Sequence, residues 1–273
     1  MLVTKTFYDV PSKLDNRHPI RIFVISPSIP NYPQAKFPGV VVFRYPEIYQ
    51  VTGPVERFAG QIASHGYVVA CPSIYHEFEG PEPIPYDAEG TDRGNRYKAK
   101  PQESPLDKDA TLSIDLLTSL NNCNGRIAAT GMCLGGHLAF RAAFDPRILA
   151  SVCFFATDIH SASLGKGKSD DTLIRVREGD LSEKGELVEI QDTHVPRAGR
   201  DLIRSVLEDA CVPVSFLEVQ AQHAFIRDEH SKGRWDAALT RSLFNSMLEV
   251  FERTVGRDLG PRVSSGGEPE HVC

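Results

Sequence analysis

Residues 131–136 read Gly131-Met132-Cys133-Leu134-Gly135-Gly136, a cysteine set between glycines. The spacing is that of a nucleophile elbow, with cysteine where serine is usual. In such an elbow a tight strand-to-helix turn exposes one side chain and aims a helix N-terminus at it. A Cβ at Gly131 or Gly135 would crowd the turn. The flanks suit this reading. Arg126 to Thr130 reads as a buried strand, and His137 to Phe144 as a helix packed on a sheet.

A cysteine nucleophile needs a base and a group that orients the base. On an elbow fold these follow in the chain order nucleophile, acid, histidine. His160, His194, His223 and His230 lie beyond the elbow helix. His223 is the candidate base, because it follows the last apolar strand, Val214 to Val219, by only Gln220-Ala221-Gln222. His160 and His194 read as polar loop residues, and His137 as a packing or capping residue on the elbow helix. Two acids are in range. Asp192 comes just after the run Leu187-Val188-Glu189-Ile190, whereas Asp180 in Glu178-Gly179-Asp180 reads as a turn or helix cap. Asp192 fits the order and the strand position better.

These groups must be carried by regular elements, and the periodicities supply them. Ile20 to Ile25, Gly39 to Phe43, Tyr67 to Pro72, Leu149 to Phe155, Gly185 to Ile190 and Val214 to Val219 read as strands. Pro54 to His65, Asp107 to Leu120, Ala198 to Ala210 and Trp235 to Val255 have helical spacing. Strands alternating with helices predict an α/β fold with a mostly parallel central sheet and helices on both faces. One domain over residues 1–256 is expected, with polar inserts near 75–106 and 157–184 and a disordered tail over 257–273. Both inserts follow strands, where such sheets bind ligands.

Composition narrows the function. The chain has 273 residues, 41% of them hydrophobic, and a net charge of −6. It shows no basic stripe, signal peptide or membrane-length apolar run, so neither nucleic acid nor membrane is an expected partner. The six cysteines are scattered without a C-x-x-C pair, which argues against a zinc site and for a reducing cytoplasm. Cys71, Cys153 and Cys211 read as small core hydrophobes. No metal or organic cofactor is needed. The partner is a small molecule, and the protein a monomer or homodimer.

Four segments together resemble the dienelactone hydrolase (carboxymethylenebutenolidase) family, α/β-hydrolases with a Cys-Asp-His triad. They are the elbow, Asp192-Thr193-His194-Val195-Pro196, Gln222-His223-Ala224-Phe225-Ile226-Arg227, and Pro46-Glu47-Ile48-Tyr49-Gln50. The resemblance runs over most of residues 20–255. It implies that Cys133 attacks an ester or lactone carbonyl, with His223 moving protons and Asp192 orienting it. It places the oxyanion on the backbone N–H groups of Leu134 and Ile48. Glu47 matches a glutamate that pairs with the resting thiol. Arg227 matches an arginine that binds a substrate carboxylate; the alternative is a surface ion pair with Asp228 or Glu229. Tyr49, Tyr86 and Phe225 are further expected substrate contacts.

Two departures touch the site. The loop before Asp192 is about three residues shorter than the family pattern, and Arg44-Tyr45-Pro46 lengthens the approach to Glu47 by about two. At roughly 3.3 Å per residue either could shift an acid by several ångströms. Three functions are therefore in view. The first is a hydrolase of small lactones or esters. The second is an enzyme that forms, releases or isomerises a polyketide-like lactone in secondary metabolism. The third is a binding protein with a broken triad.

Overall fold

Eight strands form one sheet in the order β1-β2-β4-β3-β5-β6-β7-β8. The computed structural model describes the chain outside residues 13–18, 44–48, 51, 74, 77, 99–102, 165–169, 182–184 and 258–273. The expected tail thus lies almost wholly outside the described residues. β1 (Leu2–Val10) pairs antiparallel with β2 (Ile20–Ser28), and β2 pairs antiparallel with β4 (Val68–Pro72). From β4 through β3 (Phe37–Phe43), β5 (Cys123–Met132), β6 (Ile148–Phe154) and β7 (Glu186–Gln191) to β8 (Val214–Glu218) every pairing is parallel.

The central strands are apolar on both faces because both are covered. On β3, Val41 and Phe43 enter one core and Val40 and Val42 the other. The first core takes side chains from α3 (Glu103–Ser119), α4 (Leu134–Ala142) and α6 (Arg197–Asp209). The second takes them from α1 (Gly53–Ser64) and α7 (Ala237–Phe251). α1 shows how local sequence sets an element. Pro54 starts it, Val55, Phe58, Ala59 and Ile62 form its buried stripe, and Gly66 at φ +92° turns the chain out.

Two expectations are corrected. β1 carries no buried stripe, since it pairs through its backbone at the sheet edge, so apolar periodicity misses it. Cys211 is exposed in the turn before β8 at φ +52°, while Cys71 and Cys153 are fully buried as expected. The inserts are also more ordered than their composition suggests. The first holds α2 (Ala88–Lys98) and leads into α3, and the second holds the short α5 (Thr172–Arg177).

One buried polar group sets a pH-dependent load on the sheet. Glu189 on β7 is fully buried and accepts from Gln191 Nε2 at 2.8 Å. Burial pushes its carboxyl up to about 8, against smaller opposing hydrogen bonds from Gln191 and Cys153. Its folded value lies above its unfolded one, so its contribution is fully present below about pH 4.5 and is lost as pH rises through about 8. Glu189→Gln is expected to leave thermal stability at pH 4.5 unchanged and to raise it at pH 8.5 by about 1–3 kcal/mol. Unfolding scans at the two pH values check this; an equal shift at both would refute the ionisation.

Candidate active site

The elbow is built by close backbone approach. A Cβ on Gly131 would lie 2.1 Å from the Gly135 carbonyl oxygen and 2.7 Å from that of Phe43. One on Gly136 would lie 2.8 Å from the Phe154 carbonyl oxygen. Cys133 sits between them at φ +57°, ψ −121°, a region costly for a residue with a side chain. Backbone bonds hold it there: its N–H donates to Phe154 at 2.9 Å, and its carbonyl accepts from His137 and Thr157 at 3.2 Å each. The strained turn therefore lifts the sulfur above the ends of β5 and β6.

His223 reaches that sulfur. Its Nε2 lies 3.2 Å from Cys133 Sγ and its Nδ1 2.9 Å from Asp192 Oδ2. Asp192 is buried, and its Oδ1 accepts from the His194 N–H at 2.8 Å. Burial works to lower the His223 pKa, but the bonds and charges of Asp192 and Cys133 outweigh it and push it up to about 10. The shortened loop does not displace Asp192. β7 stays paired with β8 as far as Gln191–Glu218, so the strand end itself delivers the next residue. Thr193 Oγ1 then donates to the Ala221 carbonyl at 3.1 Å, tying the acid's loop to the histidine's.

Other expected residues separate into those at the site and those away from it. Leu134 opens α4, so its N–H is a first-turn amide without an intrahelical acceptor. Tyr49 and Tyr86 pack together, ring centroids 4.6 Å apart, and Arg227 stands over the Tyr86 ring at 4.9 Å. Asp228 and Glu229 pair instead with Arg57, at 2.6 and 2.9 Å. Phe225 is a correction. It is fully buried against Phe155, whose ring meets His223 edge-on at 5.1 Å, so it supports the histidine from below. Asp180 pairs with Arg175, and Glu47 and Ile48 lie outside the described residues. His137 is buried against Thr172 at 2.9 Å and Asp170 at 3.2 Å. Together with Arg141, which pairs with Asp107, Asp170 and Asp171, it fastens the second insert to the elbow helix.

Some groups at the site were not anticipated. His194, read as a plain loop residue, stacks on His223 with centroids 4.2 Å apart and planes at 28°. Its place two residues after Asp192 was the available signal. Thr157 Oγ1 lies 3.9 Å from Sγ and donates to Asp158 at 2.8 Å. His230 stacks on Tyr86 at 5.2 Å. Among the described residues no cluster of three or more His, Cys, Asp or Glu side chains could hold a metal ion.

The family model for the dienelactone hydrolase family matches residues 24–255. A carboxymethylenebutenolidase-like protein of Saccharomyces cerevisiae is 53% identical over 278 residues, covering all of both chains. This chain belongs to the dienelactone hydrolase family. The fold agrees. A dienelactone hydrolase structure from Klebsiella pneumoniae superposes with TM-score 0.71 at 20% identity, covering 93% of this chain and all of that one. An esterase from Pyrobaculum calidifontis gives 0.61 at 15% identity, covering 92% and 86%. The sheet is thus that of an α/β-hydrolase, and the family supports an ester or lactone hydrolase. In this member Cys133, Leu134, Thr157, His194 and His223 open onto a cavity of about 440 Å³ walled by Tyr49, Tyr86 and Arg227. No helix among the described residues is long and apolar enough to cross a membrane.

Proposed function

We propose that the protein hydrolyses small lactones or esters bearing an acidic group, through a cysteine acyl-enzyme. The unbroken line from Asp192 through His223 to Cys133 Sγ at the floor of a cavity carries this reading. A His223 held protonated beside Sγ is what a thiolate–imidazolium resting pair requires. Sγ would add to the carbonyl carbon, with the oxyanion taking the Leu134 N–H at the start of α4. Collapse of the adduct breaks the C–O bond, and His223 gives its proton to the leaving oxygen. In a lactone that oxygen stays tethered as a hydroxyl. His223, now neutral, takes a proton from water, the hydroxide attacks the thioester, and the acid leaves as the resting pair re-forms.

Asp192 keeps the Nδ1–H toward itself and so turns Nε2 to the sulfur. Arg227 would seat a substrate carboxylate by two parallel hydrogen bonds. The scattered cysteines, and the thiol this chemistry needs, suit a reducing cytoplasm. Turnover in ¹⁸O-water is the test. One labelled oxygen per product acid is the expected outcome. Unlabelled lactone or isomer as the product would replace hydrolysis with cyclisation or isomerisation.

A further inference from the structure

The loop between His223 and α7 is folded back over the cavity. Ala224, His230 and Lys232 take positive φ values of 64°, 50° and 53°, and Gly233 takes 80°. The Asp236 N–H closes the loop on the Phe225 carbonyl at 3.0 Å, and Arg234 N–H on Ser231 at 3.1 Å. Left-handed backbone at residues with side chains is costly, and it turns this stretch against the site.

The fold sorts the charges of the same loop. Asp228 and Glu229 leave on the α1 side, where Arg57 takes both. Arg227, Lys232 and Arg234 face the cavity, and none of its described lining residues is a carboxylate. Lys232 and Arg234 form no ion pair among the described residues; Arg234 Nη1 donates only to the His223 carbonyl, at 3.3 Å. Arg227 is only 4% exposed, whereas Lys232 stands exposed at the rim. Burial, and then the neighbouring Arg234 charge, lower the Arg227 pKa to about 10. In a chain of net charge −6, Lys232 and Arg234 thus stand as two cations on one cavity wall, with no ion partner among the described residues.

Resting on the hydrolase reading above, we infer that the substrate carries two anionic groups before it is cleaved. A carboxylate sits on Arg227 over Tyr86, and a second acidic group reaches Lys232 and Arg234 at the rim. The rim cations draw the dianion in and fix which end of it lies over Cys133.

Three 4-nitrophenyl esters test this: the acetate, the hemisuccinate (one charge) and the tricarballylate monoester (two charges). The native protein should prefer the doubly charged ester. Lys232→Gln, at an exposed position, should lower kcat/KM for that ester about tenfold and leave the other two within about twofold. Arg227→Ala should lower kcat/KM for both anionic esters by a larger factor than for the acetate. An equal loss on all three in Lys232→Gln, or no preference for the second charge, overturns the inference. The hydrolase reading fails separately, if Cys133→Ala cleaves the acetate as fast as the native protein. Glutarate and butyrate, titrated into Cys133→Ala by calorimetry, then decide the anion site. Glutarate should bind at least about tenfold tighter, and Lys232→Gln should remove the difference. Equal binding overturns the inference.

Discussion

Cys133→Ala is expected to lower kcat/KM toward an activated ester by about 10⁴-fold or more while folding like the native protein. The size follows from what is lost. Without Sγ no acyl-enzyme forms, and His223 and Leu134 are left to assist a water that nothing positions. Cys71, Cys123 and Cys153 offer no substitute. Cys71 and Cys153 are fully buried, and burial pushes the thiols of Cys123 and Cys153 up. Folding should be spared, because backbone bonds to Phe154, His137 and Thr157 hold the elbow at positive φ, and alanine keeps the same Cβ. Steady-state kinetics with a circular-dichroism control checks this. An alanine variant that retains native turnover would remove cysteine from the mechanism.

Asp192→Asn is expected to cost about 10³- to 10⁴-fold in kcat/KM, with little change in KM. The carboxylate accepts the Nδ1–H of His223 at 2.9 Å and the N–H of His194 at 2.8 Å. An amide can present its NH₂ to Nδ1, which favours the tautomer that puts a proton, not a lone pair, toward the sulfur. The charge lost also sustains the protonated histidine, so a second readout follows. The folded pKa of His223, about 10, lies above its unfolded value of about 6.5. Its contribution to stability is therefore fully present below about pH 6.5 and is lost as pH rises through about 10. In Asp192→Asn that alkaline loss should end at a lower pH. Thermal unfolding between pH 6 and 10.5 measures it. An unshifted alkaline limb would mean that Asp192 does not sustain the imidazolium.

Local sequence carried much of this site because the elbow is a local device. Gly131 and Gly136 sit where a Cβ would meet backbone. The order Cys133, Asp192, His223 was also legible, since each follows a strand that reads as one. The fit of Asp192 was not. Counting loop residues suggested a displaced acid, but β7 pairs one residue further than its apolar run and closes the gap through its hydrogen bonds to β8. Phe225 was misplaced for a similar reason. Its neighbours His223 and Arg227 face the cavity, and periodicity in an irregular loop does not reveal which side chain turns inward.

By itself, then, the chain determined the alternation of strands and helices, the cysteine elbow and the order in which Cys133, Asp192 and His223 follow their strands, because these rest on short-range sterics and periodicity. Only the tertiary structure decided what surrounds them. The stacking of His194 on His223 joins two loops whose separation in space depends on the β7–β8 pairing. The turning of Asp228 and Glu229 onto Arg57, with Lys232 and Arg234 left on the cavity, depends on where α1 lies against the last loop. Charges five residues apart look interchangeable along a polar stretch. Which of them meets an ion partner, and which faces the cavity, is settled by elements more than a hundred residues away.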